Sequence, residues 1–386
     1  MFTRTEKIVL ALLAMVQFTH ILDFMILMPL GAQIMRIFEI SPSQFSRLVS
    51  AYTLTAGAAG FLSSFWVDRF DRKKIFIVLY LGFALGTLAC ALSTSYYFFL
   101  IARAATGAFG GVLQGFIFAI VADTINYSRR GQAMGVVMTG ISLASVFGVP
   151  FSLFIAAHTS WHVPFLLVGG LSLVGCAAIW RVIANFNSET PTLKVPPLQF
   201  LLQLSKNKNE LLALLAMFFL TFGHFAVIPF ISPYLVSNVG FEESQLSLIY
   251  LFGGGLTLFT SPLIGKIADK YGKQRIFTQS VFFYLLLVFA ITNMPHWPVA
   301  VVLVLTTTFF IFSHGRMVTG NAIVTSSVSA QKRGSFMSLS SCVQNIGAGL
   351  AAMISGSFVH RDSLGRLSHF NWSGYWAIAI GVLSVV

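Results

Sequence analysis

Long apolar runs separated by short polar turns dominate the chain, and twelve of them predict membrane-spanning helices. Their approximate limits are 8–33, 46–67, 75–95, 97–125, 131–157, 164–185, 210–237, 244–268, 275–294, 298–327, 334–358 and 370–386. All but the last reach the roughly 20 residues that cross a bilayer. The last is short and ends without a polar tail, so the chain reads as trimmed at its C-terminus. The first apolar run continues past Asp23 to Gly31 with no A-x-A site closing it, which predicts a retained helix rather than a signal peptide. The one long polar break, 187–209, carries "SETPTLKVPPLQ" and reads as a linker between six-helix halves at 1–186 and 210–386.

Composition agrees with a lipid solvent. The 386 residues are 56% hydrophobic and 9% charged, and include 39 Phe, where soluble domains are about 45–50% apolar and about 25% charged. The net charge of +12 does not imply nucleic acid, because the basic residues lie between apolar spans. Cys90, Cys176 and Cys342 fall inside apolar runs, with neither disulfide nor metal-ligand spacing. No Gly-rich phosphate loop is present, which argues against direct ATP hydrolysis, and no cofactor is expected.

Charge sets the orientation. Of the 24 Lys and Arg, 18 fall at one set of span ends, 4 at the opposite set, and 2, Arg103 and Arg316, inside spans. Basic residues stay on the cytoplasmic side, so the N-terminus and the linker are expected in the cytoplasm.

Six of the seven residues from Asp68 to Lys74 are charged, and the pattern returns 201 positions later: Asp68 with Asp269, Arg69 with Lys270, Arg72 with Lys273, Lys74 with Arg275. "RRGQAM" at 129–134, which contains Arg130, returns as "KRGSFM" at 332–337. Two copies in equivalent loops indicate a parallel repeat of two similarly oriented halves.

These residues resemble the major facilitator superfamily over essentially the whole chain. The family's loop between helices 2 and 3 reads G-x-x-x-D-R/K-x-G-R/K. The second copy fits at Gly265, Asp269, Lys270, Gly272 and Lys273, and the first departs, with Ser64 and Asp71 at the glycine positions. "RAATG" from Arg103 is similar to the family's R-x-x-x-G in helix 4. The fifth span, "GISLASVFGVPFSLFIA" followed by "SWHVPF", resembles the drug and sugar efflux branch (arabinose efflux permease-like), with His162 in place of the usual Arg. The resemblance implies an all-α fold of twelve transmembrane helices in two pseudo-symmetric halves, and a proton-coupled exporter. It also implies that Asp68 approaches the start of helix 11 and that Arg72 pairs with Asp123, latching the cytoplasmic side. The alternative is that the charged cluster serves only to fix topology through the bias of basic residues to the cytoplasmic side.

In the fifth span, Gly140, Ala144 and Gly148 recur on one face, where small residues allow close helix approach, and Pro150 permits a bend. The expectation is a tight, bendable contact across the halves; ordinary helix packing remains the alternative.

An ionisable side chain at mid-bilayer costs about 2.5–3.5 kcal/mol on insertion scales and marks function by default. Three lie well within spans: Asp23, Arg103 and Arg316. Asp23, paired with a cation in one state and unpaired in another, would be a proton switch or would bind a cationic substrate; the alternative is a permanently paired structural carboxylate. His20, one turn earlier, is a candidate relay or a packing residue. Arg103 matches the helix-4 arginine that the family resemblance associates with proton transfer. Arg316 is expected to pair with Asp23, to meet an anionic substrate group, or to be structural. Gln114, His224, His314, Asn321, Gln344 and Asn345 are candidate cavity residues, or satisfy nearby backbone.

The sequence therefore predicts a monomeric, multi-pass inner-membrane transporter that exports a small organic molecule against protons. A proton-coupled importer is the alternative on the same fold, and a membrane receptor the alternative of another class.

Overall fold

The computed structural model describes residues 2–65, 71–126, 129–182, 207–328 and 333–385. The described residues are mostly helical: α1 (Arg4–Ile26), α2 (Gly31–Ile37), α3 (Pro42–Ser63), α4 (Arg72–Ala91), α5 (Tyr96–Thr124), α6 (Arg130–Leu143), α7 (Val149–His158), α8 (His162–Val182), α9 (Lys208–Phe225), α10 (Ile228–Tyr234), α11 (Leu246–Tyr271), α12 (Lys273–Thr292), α13 (Val299–Ser326), α14 (Arg333–Phe358) and α15 (Phe370–Leu383). A hairpin of β1 (His360–Arg361) and β2 (Leu367–Ser368) precedes α15.

Local sequence sets the boundaries. Thr3 and Glu6 form a capping box on α1, and Ser41 and Gln44 form one on α3 with Pro42 in the first turn. Asp71 and Ser95 accept from backbone N–H groups at the starts of α4 and α5. Gly272, at φ 101°, makes the reversal between α11 and α12 that an L side chain resists.

Among the described residues, ten helical segments are long and apolar enough to cross a membrane. The second predicted span is helical as α3 but is not one of them, since Ser46, Ser50, Tyr52, Thr53 and Thr55 make it polar. The last is a 14-residue helix in place of the predicted span 370–386. Two predicted spans are broken. The first ends at Ile26, turns at Pro29 and resumes as α2; the seventh breaks between α9 and α10 beside Pro229. Proline removes a backbone donor and stops the helix ladder. The fifth span is continuous but contains a π-helical turn, Ala144–Gly148, just before Pro150, so the bend expected at this proline is realised as a change of winding.

The chain alternates between two ends. One, the basic end, carries the Arg129–Glu6 ion pair (2.9 Å) and the starts of α1, α6 and α9. The far end carries Arg36–Glu243 (2.8 Å) and the hairpin, where Asn238 Nδ2 donates to the Leu367 carbonyl. One hydrophobic cluster spans helices from both parts of the chain, joining Met28, Phe45 and Trp161 to Phe230, Val239 and Phe370. Nearer the basic end the core divides: Val9, Tyr80, Phe83 and Leu113 cluster among α1–α8, while Leu214, Val324 and Phe336 cluster separately among α9–α15. The apolar core is therefore continuous across the N-terminal and C-terminal helices at the far end and divided toward the basic end, where α3 and α5 still meet α14 through Gly57 and Gln114.

Small residues make the joints. On α3, Ser50 donates to the Gly349 carbonyl of α14 at 2.8 Å, and a Cβ on Gly57 would stand 2.8 Å from Ile346. A Cβ on Gly254 of α11 would stand 2.8 Å from the Ser145 carbonyl in the π turn. Gly140 and Gly148 instead face α1, against Ala14, Phe18 and Leu22. The small-residue stripe of the fifth span thus packs within the N-terminal helices, not across to the C-terminal ones as expected. The crossing falls to Ser145, because the π turn rotates that face of the helix toward α11.

Candidate functional site

Asp23 sits near the end of α1 and is fully buried. Its Oδ2 accepts from Arg103 Nη1 at 2.9 Å, and its Oδ1 accepts from Thr87 Oγ1 at 3.0 Å. Arg103, on α5, also reaches the Asp23 carbonyl (3.4 Å), and its guanidinium carbon lies 4.3 Å from the centre of the Tyr52 ring. Three further helices, α3, α4 and α5, therefore close around one carboxylate. A buried charge is tolerated only when paired and hydrogen-bonded, and Asp23 has both. The Asp23–Arg316 pair considered from sequence is corrected: Arg103 takes that place.

His20 lies one turn before Asp23 but packs between Phe83 (5.7 Å between ring centres) and Tyr52 (6.5 Å). Among the described residues no hydrogen bond joins it to Asp23, and its Nδ1 has no protein partner.

Arg316 is placed at the middle of α13, fully buried. Its guanidinium carbon lies 3.5 Å from the centre of the Tyr284 ring. Nε, Nη1 and Nη2 meet no protein acceptor among the described residues. His224, near the end of α9, sets Nδ1 3.3 Å from Tyr284 Oη and 3.4 Å from Ser313 Oγ, and stacks on Phe309. His224 follows Asp23 by the repeat offset of 201, and both precede a phenylalanine, Phe24 or Phe225. Those two rings meet at 5.7 Å, and Phe24 also packs, tilted, against Tyr52 at 5.3 Å. An aromatic contact thus joins α1, next to Asp23, to α9, next to His224.

The remaining candidates divide. His314 Nδ1 bonds the Phe310 carbonyl (3.0 Å) and Gln344 Nε2 donates to Ser340 Oγ (3.2 Å), both within their own helices. Asn321 is half-buried on α13. Gln114 Oε1 accepts from Ser341 Oγ at 3.2 Å, joining α5 to α14, and lines a crevice with Asn345, Ser63 and Cys342. This crevice lies toward the basic end, away from Asp23.

Of the expected latch, Asp68 lies outside the described residues, as do the side chains of Arg72 and Asp123. Arg130 Nε donates to the Ile125 carbonyl at 3.1 Å. Asp269 is exposed near the end of α11. His162, in place of the family's Arg, bonds the Ala91 carbonyl and fixes α8 to the end of α4.

Sequence reasoning missed Thr87, Tyr52 and Tyr284. A hydroxyl in an apolar span usually bonds its own helix backbone, so nothing in the sequence separates Thr87 from Thr106, which does so.

The Major Facilitator Superfamily profile matches residues 13–352. An uncharacterized MFS-type transporter of Bacillus subtilis, YceJ, is 24% identical over 339 residues, 86% of this chain and 85% of that protein. Multidrug resistance protein 2 of B. subtilis is 25% identical over 314 residues, 80% of this chain and 77% of that one. Putative transporter AraJ of Escherichia coli is 22% identical over 237 residues, 61% of this chain and 59% of that one. The fold is similar to that of a bacterial homologue of the human lysosomal transporter Spinster, crystallised inward-facing and unoccupied (TM-score 0.75, 17% identity, 93% of this chain and 83% of that one). It is also similar to nucleoside transporter NupG (TM-score 0.72, 13% identity, 98% of each chain). With the profile covering most of its length and the fold agreeing, the chain belongs to the major facilitator superfamily, a family of transporters rather than enzymes.

Proposed function

We propose that this protein is a twelve-helix, two-halved secondary transporter of the inner membrane that exports a small organic molecule in exchange for protons. The observation that carries the reading is the buried Asp23, ion-paired to Arg103 and hydrogen-bonded to Thr87. A proton arriving at Asp23 cancels the carboxylate charge and leaves the Arg103 cation without its counter-ion. A buried cation stripped of its partner is strongly unfavourable, so the protonated helices repack. Alternating access requires such a two-state response to one small event.

Support comes from two sides. The glycine-and-proline pattern of the fifth span resembles the efflux branch, and the relatives include a protein named for multidrug resistance. The protein functions as a monomer in this reading.

The test is proton release by purified protein on addition of cationic, neutral and anionic compounds, for wild type and Asp23→Asn. Release with one class, absent in the variant, supports exchange through Asp23. Unchanged proton-driven transport in Asp23→Asn sinks it. Dissipation of a preset gradient by inward movement, in place of extrusion, reassigns the protein as an importer.

A further inference from the structure

The two buried arginines are unequal. Arg103 has its anion; Arg316, equally buried, meets only the face of Tyr284 among the described residues. The carboxylates of the C-terminal helices stand elsewhere. Glu210 is in the first turn of α9, Glu242 and Glu243 precede α11, Asp269 lies near the end of α11, and Asp362 is in the hairpin. Asp23 is committed to Arg103 and Thr87. A cation held in a dry interior without an acceptor lowers stability, and a stacked ring recovers only about 2 kcal/mol of that cost.

We infer that Arg316 is the recognition group for an organic oxyanion, a carboxylate in the first instance, on the transported molecule. This deepens the transporter reading above by naming the substrate class. The planar guanidinium offers parallel N–H donors matched to a carboxylate. Tyr284 holds one face of it, so the edge bearing Nε, Nη1 and Nη2 is the part left to bind. Beside it, the Tyr284 ring packs against Phe309 and His224, and His224 and Ser313 supply polar atoms next to Tyr284. A ligand with an anionic head and an apolar or aromatic body matches that lining. Proton coupling and substrate binding are then divided between Asp23 among the N-terminal helices and Arg316 among the C-terminal ones.

The test works with simple probe anions in place of the natural substrate. A cation whose acceptor is a ligand destabilises the unliganded protein, so Arg316→Met raises the melting temperature of purified, detergent-solubilised protein by about 2–4 °C. Arg103→Met, which strands Asp23, lowers it. In the second arm, melting is followed with benzoate, benzenesulfonate and phenylphosphonate, against benzamide and benzylamine, at equal ionic strength in chloride. At least one oxyanion stabilises the wild type, the effect disappears in Arg316→Met, and Arg316→Lys keeps it with affinity lowered ~10-fold or more. A fall in melting temperature in Arg316→Met comparable to that in Arg103→Met makes Arg316 structural and overturns the inference. Equal responses to oxyanions and neutral analogues, no response to any oxyanion, or added chloride stabilising as well as the organic anions at the same concentration also overturn it. These measurements require no proton gradient. Proton-driven flux unchanged in Asp23→Asn with the anion response intact removes the coupling role of Asp23 and leaves this site standing; flux lost in Asp23→Asn with no anion response removes only this site.

Discussion

Asp23 and Arg103 stand 80 positions apart in sequence and 2.9 Å apart in space, and neither side chain reaches solvent. Removing one partner of such a pair costs about 3–5 kcal/mol, whereas replacing both by well-packed apolar groups is often neutral. Arg103→Met is therefore expected to melt well below wild type, and Asp23→Leu/Arg103→Met close to it. Proton-driven transport is lost in both. A double variant as unstable as the single one argues that packing, not charge, governs this spot.

Thr87 contributes the second hydrogen bond to Asp23. Bonds to charged groups contribute about 1.5–3 kcal/mol. Thr87→Val keeps the shape and loses the donor, so a stability loss in that range is expected, and Thr87→Ser recovers most of it. Equilibrium unfolding of the purified variants decides the matter; equal stability of the Val and Ser forms contradicts it.

Two glycines on one helix give a paired prediction. A Cβ on Gly111 runs into the Ala56 backbone of α3, while a Cβ on Gly115, one turn later, meets nothing within 4 Å. Overpacking costs about 1–3 kcal/mol, and Ala is favoured over Gly in a helix by about 1 kcal/mol. Gly111→Ala should lower the melting temperature and Gly115→Ala should leave it unchanged or raise it. The opposite order contradicts the α3–α5 contact.

Arg36 and Glu243 clasp α2 to the segment before α11 at the far end, with Arg36 well exposed. Surface pairs contribute about 0–1 kcal/mol. Arg36→Glu is expected to leave melting nearly unchanged, yet to shift the balance toward opening at that end, seen as faster thiol labelling in an Ile37→Cys background. The Arg36→Glu/Glu243→Arg exchange restores the slower rate. Rates indifferent to both changes remove the clasp.

Orientation is open to direct labelling because Cys90, Cys176 and Cys342 are all buried. Leu364, in the hairpin loop, is 76% exposed. Leu364→Cys should react with an impermeant maleimide on intact cells, and Asn207→Cys only after permeabilisation. The reverse pattern inverts the topology.

Sequence by itself determined the all-helical class, the family, and Asp23, Arg103 and Arg316 as charges inside the spans. Lipid exposure is decided residue by residue, and hydropathy reports it directly. Caps such as Thr3–Glu6 and Ser41–Gln44 act within one turn, so they too are readable locally. The repeated charged loops stand out in the sequence because their copies keep their order along the chain.

Only the tertiary structure decided which charge meets which. The sequence put Asp23, Arg103 and Arg316 inside the membrane, and left Asp23 a choice of partners; helix rotation gave it Arg103 and Thr87 and left Arg316 on Tyr284. Gly140 and Gly148 were visible as a packing face, but the π turn at 144–148 sent that face to α1 and Ser145 to α11. Tilt and rotation of membrane helices are set by their neighbours rather than by their own hydropathy. A pattern along one helix therefore shows that a contact exists without showing where it lands.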